Sequence, residues 1–429
     1  MRHLVQPPAH GRSHFGLRRA VPAAVLALGA AAAQAQGSLN VPLEFNGYVR
    51  AGTGISTRGG TMVCYQLPGA DTKYRLGNEC DYVIEPSFVA RLAEVEDGGT
   101  WYLHVMPSVY RAWGDEEAGT NELTARFGQI YGYGKGIPQL ANGKVWAGRR
   151  FYDRVQLGIN DHFLENHDGD GAGIEDMELG VGKFSYAFLM NPRVGTPSST
   201  ATDQTIKNDY EHAFRYTGIK TIADSELAVY FGYANTTTTE NRITGTPEAE
   251  KNSRTRLGLY HVTKGTLGGS TFLGTKIEKG DDFRQWRAVV YQTGMLTAMR
   301  TGWDFVAEYR NKRVSGVDEK WYSIGGRTDT HIAGPFRFLV ELGHDVIKPE
   351  NGDTRNMTKL TLAGAVSAGR EPSSRPTIRL FYTYARWNDA AREAINADAA
   401  NNLGSRRLSQ VYGDRKSGSS VGAQLETWW

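Results

Sequence analysis

Long apolar segments are almost absent from this 429-residue sequence. The one apolar run, residues 21–33, is shorter than the about 20 residues that a membrane-spanning helix needs. It follows a group of four arginines and precedes Ala33-Gln34-Ala35, which is the pattern of a cleaved secretory signal. We therefore predict a signal peptide over residues 1–35, one domain over residues 36–429, and no spanning helix.

An excess of charge of one sign is also missing. The formal net charge of +3 depends on the four arginines of the predicted signal peptide, and removing them leaves 45 basic against 46 acidic residues. A chain with this balance lacks the basic surface that nucleic acids require, so no nucleic-acid partner is expected.

Catalytic and metal-binding motifs are not found in the sequence. There is no Ser-His-Asp pattern, no histidine pair at metal spacing and no phosphate-binding glycine loop. The segment His167–Gly171 begins like a calcium loop but lacks the later ligands of that motif. We therefore expect no enzyme, no cofactor and no metal site.

Cysteine is scarce, since Cys64 and Cys80 are the only two. An even number of cysteines in an exported chain suggests one disulfide, which here would close a short local loop. Two unpaired thiols are the alternative.

Alternation of apolar and polar residues is the pattern that the sequence does contain. Near the start of the mature chain, Leu43, Phe45 and Val49 share one face of a predicted strand, and Tyr48 and Arg50 share the other. The same two-residue period recurs to the C-terminus, where Leu425 and Trp429 oppose Glu426 and Trp428. The mean hydropathy of −0.45 fits a transmembrane barrel, because only alternate residues of such a barrel meet lipid.

Short turns alternate with long polar segments between the predicted strands, as in outer-membrane barrels. The sequence ends on a strand with an aromatic residue, and pairing that strand with the first would remove both sheet edges. A soluble β-sandwich that ends in a strand is the alternative. We predict an all-β protein, a transmembrane antiparallel β-barrel in the bacterial outer membrane, in contact with lipid.

Six segments, in order along the chain, resemble the maltoporin family of outer-membrane sugar porins. They are Phe45–Arg50, Lys73–Cys80, Trp146–Tyr152, Gly171–Glu175, Arg375–Arg379 and Gly422–Trp429. The resemblance implies an 18-stranded barrel, a homotrimer, and an infolded loop that narrows the pore. It also implies passive diffusion of maltodextrins or other oligosaccharides.

A sugar channel needs aromatic planes for the faces of sugar rings and polar groups for their hydroxyls. Alternation alone places Tyr48, Arg50 and Trp428 on the lumen face. The resemblance assigns three kinds of residue. They are an aromatic slide of Tyr48, Trp113, Trp428 and Phe272, a polar track of Arg50, Arg75, Glu85, Arg154 and Asp161, and Phe163 at the constriction.

Each assignment has a plainer alternative. The tryptophans could belong to the aromatic girdle at the membrane interface, or to an ordinary loop. Tyr48 could simply fill the wall, and the arginines and acids could be structural ion pairs that hold the infolded loop.

Four positions depart from the family pattern. Val83 and Ser373 stand where the family has aromatic residues, Phe163 replaces a tyrosine, and Gln156 replaces an acid. Tyr82 is next to Val83, but a one-residue offset turns it to the opposite face. The predicted lining is therefore sparser, and weaker or altered sugar selectivity is expected.

Three other functions compete with a maltodextrin channel. A general or differently selective porin, for example of the sucrose type, would share the fold. A hydrolase would need a serine and a histidine paired on adjacent strands, and no nucleophile motif accompanies His104 or the other histidines. A purely structural barrel would not need aromatic residues and arginines on its lumen face.

Overall fold

The structure is a computed structural model that describes residues 41–60, 62–112, 124–190, 193–194, 206–239, 249–397 and 411–429. The predicted signal peptide and Trp113 lie outside these residues. Among the residues described, no helix has the length and apolar character needed to cross a membrane.

The described residues form a closed barrel of 18 antiparallel strands, as predicted. Each barrel strand pairs with the next one along the chain, and the first pairs with the last from Tyr48↔Trp428 to Ser56↔Ser420. Closure leaves no strand edge unpaired, which a bilayer requires because it offers no water to free backbone groups.

The strands are numbered in chain order. The barrel strands are β1 (Leu43–Ser56), β2 (Asp81–Val95), β3 (Gly99–Ala112), β4 (Thr124–Ile137), β5 (Gly143–Arg150), β8 (Gly169–Leu179), β9 (Gly182–Met190), β11 (Ile206–Lys220), β12 (Ser225–Thr239), β13 (Ala249–Thr266), β14 (Gly269–Gly280), β15 (Phe283–Leu296), β16 (Thr301–Val314), β17 (Val317–Ala333), β18 (Phe336–Pro349), β19 (Arg355–Ser367), β20 (Thr377–Trp387) and β21 (Ser417–Trp428). Among the described residues, the other elements include β6 (Val155–Leu157), β7 (His162–Glu165), β10 (Arg193–Val194), which continues the pairing of β9 with β11, the helix α1 (Asp389–Ala397), and the short 3-10 helices Pro138–Leu140 and Thr297–Met299.

The two faces of the barrel wall differ in chemistry. Along β20, Arg379 and Thr383 are buried on the inner side, whereas Leu380 and Tyr382 are exposed on the outer side. An apolar outer face and a polar inner face are what a barrel needs when lipid surrounds it and the lumen is polar.

Among the residues that the structure describes, two long loops fold into the lumen, whereas the family resemblance implied one. The first inner loop, residues 57–80, connects β1 and β2, and the second inner loop, residues 151–168, connects β5 and β8 and carries the β6–β7 hairpin. They meet where the backbone N–H of Arg75 donates to the carbonyl of Ile159 at 3.3 Å. The lumen is therefore narrowed from two sides of the wall.

The first inner loop packs against β17 and β18. A Cβ at Gly325 or Gly343 would lie 2.2 or 2.0 Å from the ring of Tyr74, so glycine at both positions makes room for that ring. Cys64 and Cys80 form a disulfide within the loop, with a Cα–Cα distance of 6.0 Å. The predicted disulfide is present.

We expect reduction of the Cys64–Cys80 bond to loosen the first inner loop without unfolding the barrel. In the chain-entropy model, a disulfide that closes a loop of this size stabilises the fold by roughly 3 kcal/mol. The stability of the barrel itself rests on the closed strand pairing. Limited proteolysis should cut within the loop faster after reduction, while the folded barrel band on an unheated gel stays in place. Loss of that band in a Cys64→Ser/Cys80→Ser variant would contradict the expectation.

Candidate functional site

Tyr48 and Trp428 lie side by side on the inner wall. They are direct partners across the β1–β21 pairing, so their side chains share one face. The Tyr48 hydroxyl donates to Glu426 at 3.0 Å, and the Trp428 ring is 43% exposed. An aromatic surface and a charged group therefore stand together in the lumen.

Arg375 covers one face of Trp428, and the sequence analysis did not single it out. Its guanidinium carbon is 3.8 Å from the centre of the ring, and it also donates to Glu426 at 3.2 Å. Arg379 donates to the same carboxylate at 2.6 Å. The matching segment Arg375–Arg379 contained this signal, since Arg379 lies on β20, which pairs with β21, and Arg375 lies two residues before that strand.

Arg50 and Arg75 connect the first inner loop to the barrel wall through ion pairs. Arg50 is buried and donates to Glu79 at 2.7 Å and to Asp81 at 2.8 Å. Arg75 donates to Glu79 at 3.1 Å and to Glu426 at 3.1 Å. This geometry favours the alternative that these two arginines are structural ion pairs, because their donors are used within the protein.

Glu85 and Val83 also lie on the inner face of β2. Glu85 is the direct partner of Tyr48, and Val83 is the direct partner of Arg50. Glu85 accepts a hydrogen bond from Ser108 at 3.0 Å. An aromatic residue at position 83 would face the lumen, so its replacement by valine removes a ring from this path.

Phe163, Arg154 and Asp161 lie together on the second inner loop. His162 and Leu164 are buried against the wall, so Phe163 between them faces the open lumen. Arg154 lies 5.0 Å from the centre of the Phe163 ring and is ion-paired with Asp168. Asp161 lies 4.0 Å from Arg75, and Gln156 donates a hydrogen bond to it.

Phe272 faces the lumen from β14 but is apart from the Tyr48–Trp428 pair. Its ring stacks on Tyr260 at 5.6 Å, and both pack on a buried cluster that includes Leu157 and Leu164 of the second inner loop. In this position Phe272 packs against the second inner loop.

Buried charges anchor the second inner loop to the wall. Glu165 accepts hydrogen bonds from Tyr260 at 2.6 Å and from Lys276 at 2.8 Å. His167 lies 3.1 Å from Glu165 and 2.9 Å from Glu211. These groups hold the loop against β11, β13 and β14.

The pKa values of the two loop residues in this anchor are shifted. Burial lowers the pKa of His167, but its hydrogen bonds to Glu165 and Glu211 outweigh burial and raise that pKa to about 9. Burial raises the pKa of Glu165, but the hydrogen bond from His167 and the charge of Lys276 outweigh burial and bring that pKa down to about 2. Both groups are therefore charged at neutral pH.

A cavity of about 450 Å³ lies between the inner loops and the end of the barrel that carries the short turns. Its lining includes Arg75, Asp304, Arg327, Arg375 and Trp428. The turn of residues 368–376 bends into this space, because a Cβ at Gly302 would lie 2.4 Å from the ring of Pro372.

The structure does pair one serine with one histidine on adjacent strands. Ser87 Oγ lies 2.7 Å from His104 Nε2, a contact that the sequence analysis missed. The other nitrogen of His104 contacts the Tyr131 hydroxyl at 3.1 Å, where a catalytic triad would have a carboxylate to stabilise the charged imidazole.

We expect Phe163→Ala to raise ion conductance, because Phe163 faces the lumen from a loop that narrows it. Phe163→Tyr should leave conductance near the wild-type value and tighten sugar block modestly, since it adds a hydroxyl in the same space. Single-channel current in planar bilayers measures both quantities. An unchanged conductance in Phe163→Ala would show that this ring does not line the narrowest point.

A closed 18-stranded barrel with an apolar outer face, a charged and aromatic lumen and infolded loops defines the class of outer-membrane porins. The model of the LamB porin family matches residues 43–429, and the chain belongs to this family, the maltoporins. It is a barrel of the bacterial outer membrane, and family membership points to a channel rather than an enzyme.

Several solved structures of outer-membrane barrels are similar to this chain. Acinetobacter baumannii OccAB2 is 10% identical, over 91% of this chain and 98% of that one, with a TM-score of 0.49. Pseudomonas aeruginosa OpdQ is 9% identical, over 91% and 99%, with a TM-score of 0.46. Escherichia coli Wzi, described as a carbohydrate-binding β-barrel, is 12% identical, over 92% and 86%, with a TM-score of 0.42.

Proposed function

We propose that this protein is a passive channel selective for maltodextrin-type oligosaccharides. The observation that carries the proposal is the Tyr48–Trp428 pair, which sets an exposed aromatic ring beside charged groups in the lumen. Sugar rings offer apolar faces to such a ring and hydroxyls to such charges. Membership of the LamB porin family supports the same function.

The test is single-channel current through the purified protein, titrated with maltotriose, sucrose and glucose. A maltodextrin-selective channel is blocked by maltotriose at concentrations that leave the current unchanged with the other two sugars. Equal block by all three, or by none, would contradict selectivity for maltodextrins.

A channel with different selectivity is the second candidate, and Arg375 favours it. Its guanidinium already occupies one face of Trp428, and Val83 and Ser373 supply no ring where the family has one. Stronger block by sucrose than by maltotriose in the same titration would support this candidate.

Membership of the family also supports a homotrimer. Chemical cross-linking of the protein in detergent should give a band at three times the mass of one chain. A product that stops at one or two chains would contradict a trimer.

A further inference from the structure

A second group of aromatic residues lies on the lumen wall, on β3 and β4. Tyr102 of β3 is the direct partner of Tyr133 of β4, and Tyr131 is two residues away from Tyr133 on the same face. None of the three was assigned a role from the sequence, although Tyr131 and Tyr133 already show the spacing of two that places residues on one face.

The strand pairing shows that this group faces the lumen. On β2, Glu85 is the partner of Tyr48, and Val89 is four residues away on the same face. Val89 is the partner of His104 on β3, which in turn is the partner of Tyr131 on β4. Tyr131 therefore shares the face of Tyr48, as do Tyr102 and Tyr133.

The three rings form a column with a cation at each end. The rings of Tyr102 and Tyr133 are stacked, with centres 4.9 Å apart and planes 10° apart, and Tyr131 is 5.5 Å from Tyr133. Lys135 lies 4.7 Å over the Tyr102 ring, and Arg150 lies 4.8 Å over the Tyr131 ring. Because these contacts cover the ring faces, the column offers its edges and hydroxyls to the lumen.

Two of the three hydroxyls are free. The Tyr131 hydroxyl is held by His104, but in the part of the chain that the structure describes, the hydroxyls of Tyr102 and Tyr133 have no hydrogen-bond partner. Both side chains are partly exposed. A phenol hydroxyl donates one hydrogen bond and accepts others, which suits the hydroxyls of a sugar.

The guanidinium donors of Arg50 and Arg75 are largely occupied by contacts within the protein. Arg50 and Arg75 donate to Glu79, Asp81 and Glu426, so few of their donors remain for a solute. A permeating sugar must lose water in the narrow part of the lumen, and it needs partners that are not already bonded.

We propose that Tyr102 and Tyr133 form a second contact line for the sugar, in which their hydroxyls bond the sugar hydroxyls while the stacked rings hold them in place. This inference rests on the proposed function, since it concerns how the same sugar passes. It places part of the sugar path on β3 and β4, beside the Tyr48–Trp428 path.

The test removes the hydroxyls and keeps the rings. Tyr133→Phe should weaken maltotriose block about fivefold, because a hydrogen bond contributes about 1 kcal/mol and 1.4 kcal/mol is tenfold. Tyr102→Phe/Tyr133→Phe should weaken the block further. Ion conductance should stay at the wild-type value, since the column keeps its volume. Tyr382→Phe is the matched control, because that tyrosine is on the outer face. Maltotriose should block this variant as strongly as it blocks the wild type.

The outcomes separate this inference from the function on which it rests. Weaker block in the double variant, with normal conductance and normal block in Tyr382→Phe, supports the contact line. Wild-type block in the double variant, together with weakened block in Trp428→Ala, overturns the contact line and leaves the sugar channel standing. A wild-type channel that maltotriose does not block overturns both.

Discussion

Glu165→Ala is expected to release the second inner loop from the wall. The single-channel current should then show frequent steps to a higher level. The substitution leaves Lys276 and His167 buried without their shared partner. Breaking a buried ion pair by removing one member costs about 3–5 kcal/mol. The detached loop should then be populated roughly 100-fold to 4,000-fold more than in the wild type, since 1.4 kcal/mol is tenfold.

Single-channel recording and limited proteolysis of residues 151–168 measure this release. Glu178→Ala is the matched control, because Glu178 is an exposed acid on β8 and its ion pair with Lys183 is exposed too. Glu165→Gln should release the loop less often than Glu165→Ala and more often than Glu178→Ala, because the amide oxygen can still accept a hydrogen bond from Lys276. Wild-type current steps and wild-type protection in Glu165→Ala would show that apolar packing alone holds the loop.

The anchor should also depend on pH. The pKa of His167 is raised to about 9, so its contribution is complete below about 6.5 and is lost as pH rises through about 9. The pKa of Glu165 is lowered to about 2, so its contribution is complete above 4.5 and is lost as pH falls through about 2. Loop opening should be rarest between about pH 4.5 and 6.5 and more frequent at alkaline pH. Glu165→Ala should weaken this dependence, because only Glu211 then remains beside His167.

Trp428→Ala and Trp429→Ala are expected to have opposite effects. Trp428 is on the inner face, and stacking of a sugar on its ring is worth on the order of 1 kcal/mol. Its loss should weaken maltotriose block about fivefold. Barrel assembly should survive, because the Trp429 ring that packs on Phe45 remains in place.

Trp429 lies on the outer face, where its ring is 5.2 Å from Phe45. Gly47 makes room for it, because a Cβ there would lie 2.6 Å from the Trp429 ring. Trp429→Ala should therefore lower the yield of folded barrel and leave the sugar affinity of the assembled channels unchanged. Equal losses of sugar affinity in the two variants would contradict the assignment of sugar binding to Trp428 and of barrel assembly to Trp429.

Folded yield is read from the heat-dependent shift of the barrel band on a gel, and sugar affinity from current block. Arg375→Ala is a useful companion variant, since it uncovers the ring of Trp428 and leaves the ring itself in place. Tighter block in that variant would show that the guanidinium competes with the sugar for the same face.

Alternation along the sequence was enough to predict a barrel and to place Tyr48, Arg50 and Trp428 on its lumen face. A period of two leaves no freedom in side-chain direction once a strand forms, so Tyr48 and Trp428 had to share the face opposite to Phe45 and Trp429. The matching segments added the strand number, because it follows from membership of the family, whereas the even cysteine count had already suggested the disulfide.

The glycines near the start of β8 lie in a strand and not in a turn, since β8 begins at Gly169. A Cβ at Gly171 or Gly173 would lie 2.2 or 2.5 Å from a backbone oxygen of β9, so these glycines permit close strand pairing.

The contacts that the lumen residues make could not be read from the sequence and depend on the folded barrel. The sequence placed Arg50 and Arg75 among the residues of a sugar track, and the fold pairs them with carboxylates of the first inner loop and of β21. It also brought Arg375 onto Trp428 and stacked Tyr102 on Tyr133. Such contacts join residues far apart in the chain, and alternation along one strand carries no information about them. Closure of the barrel and the entry of two loops into it set these distances.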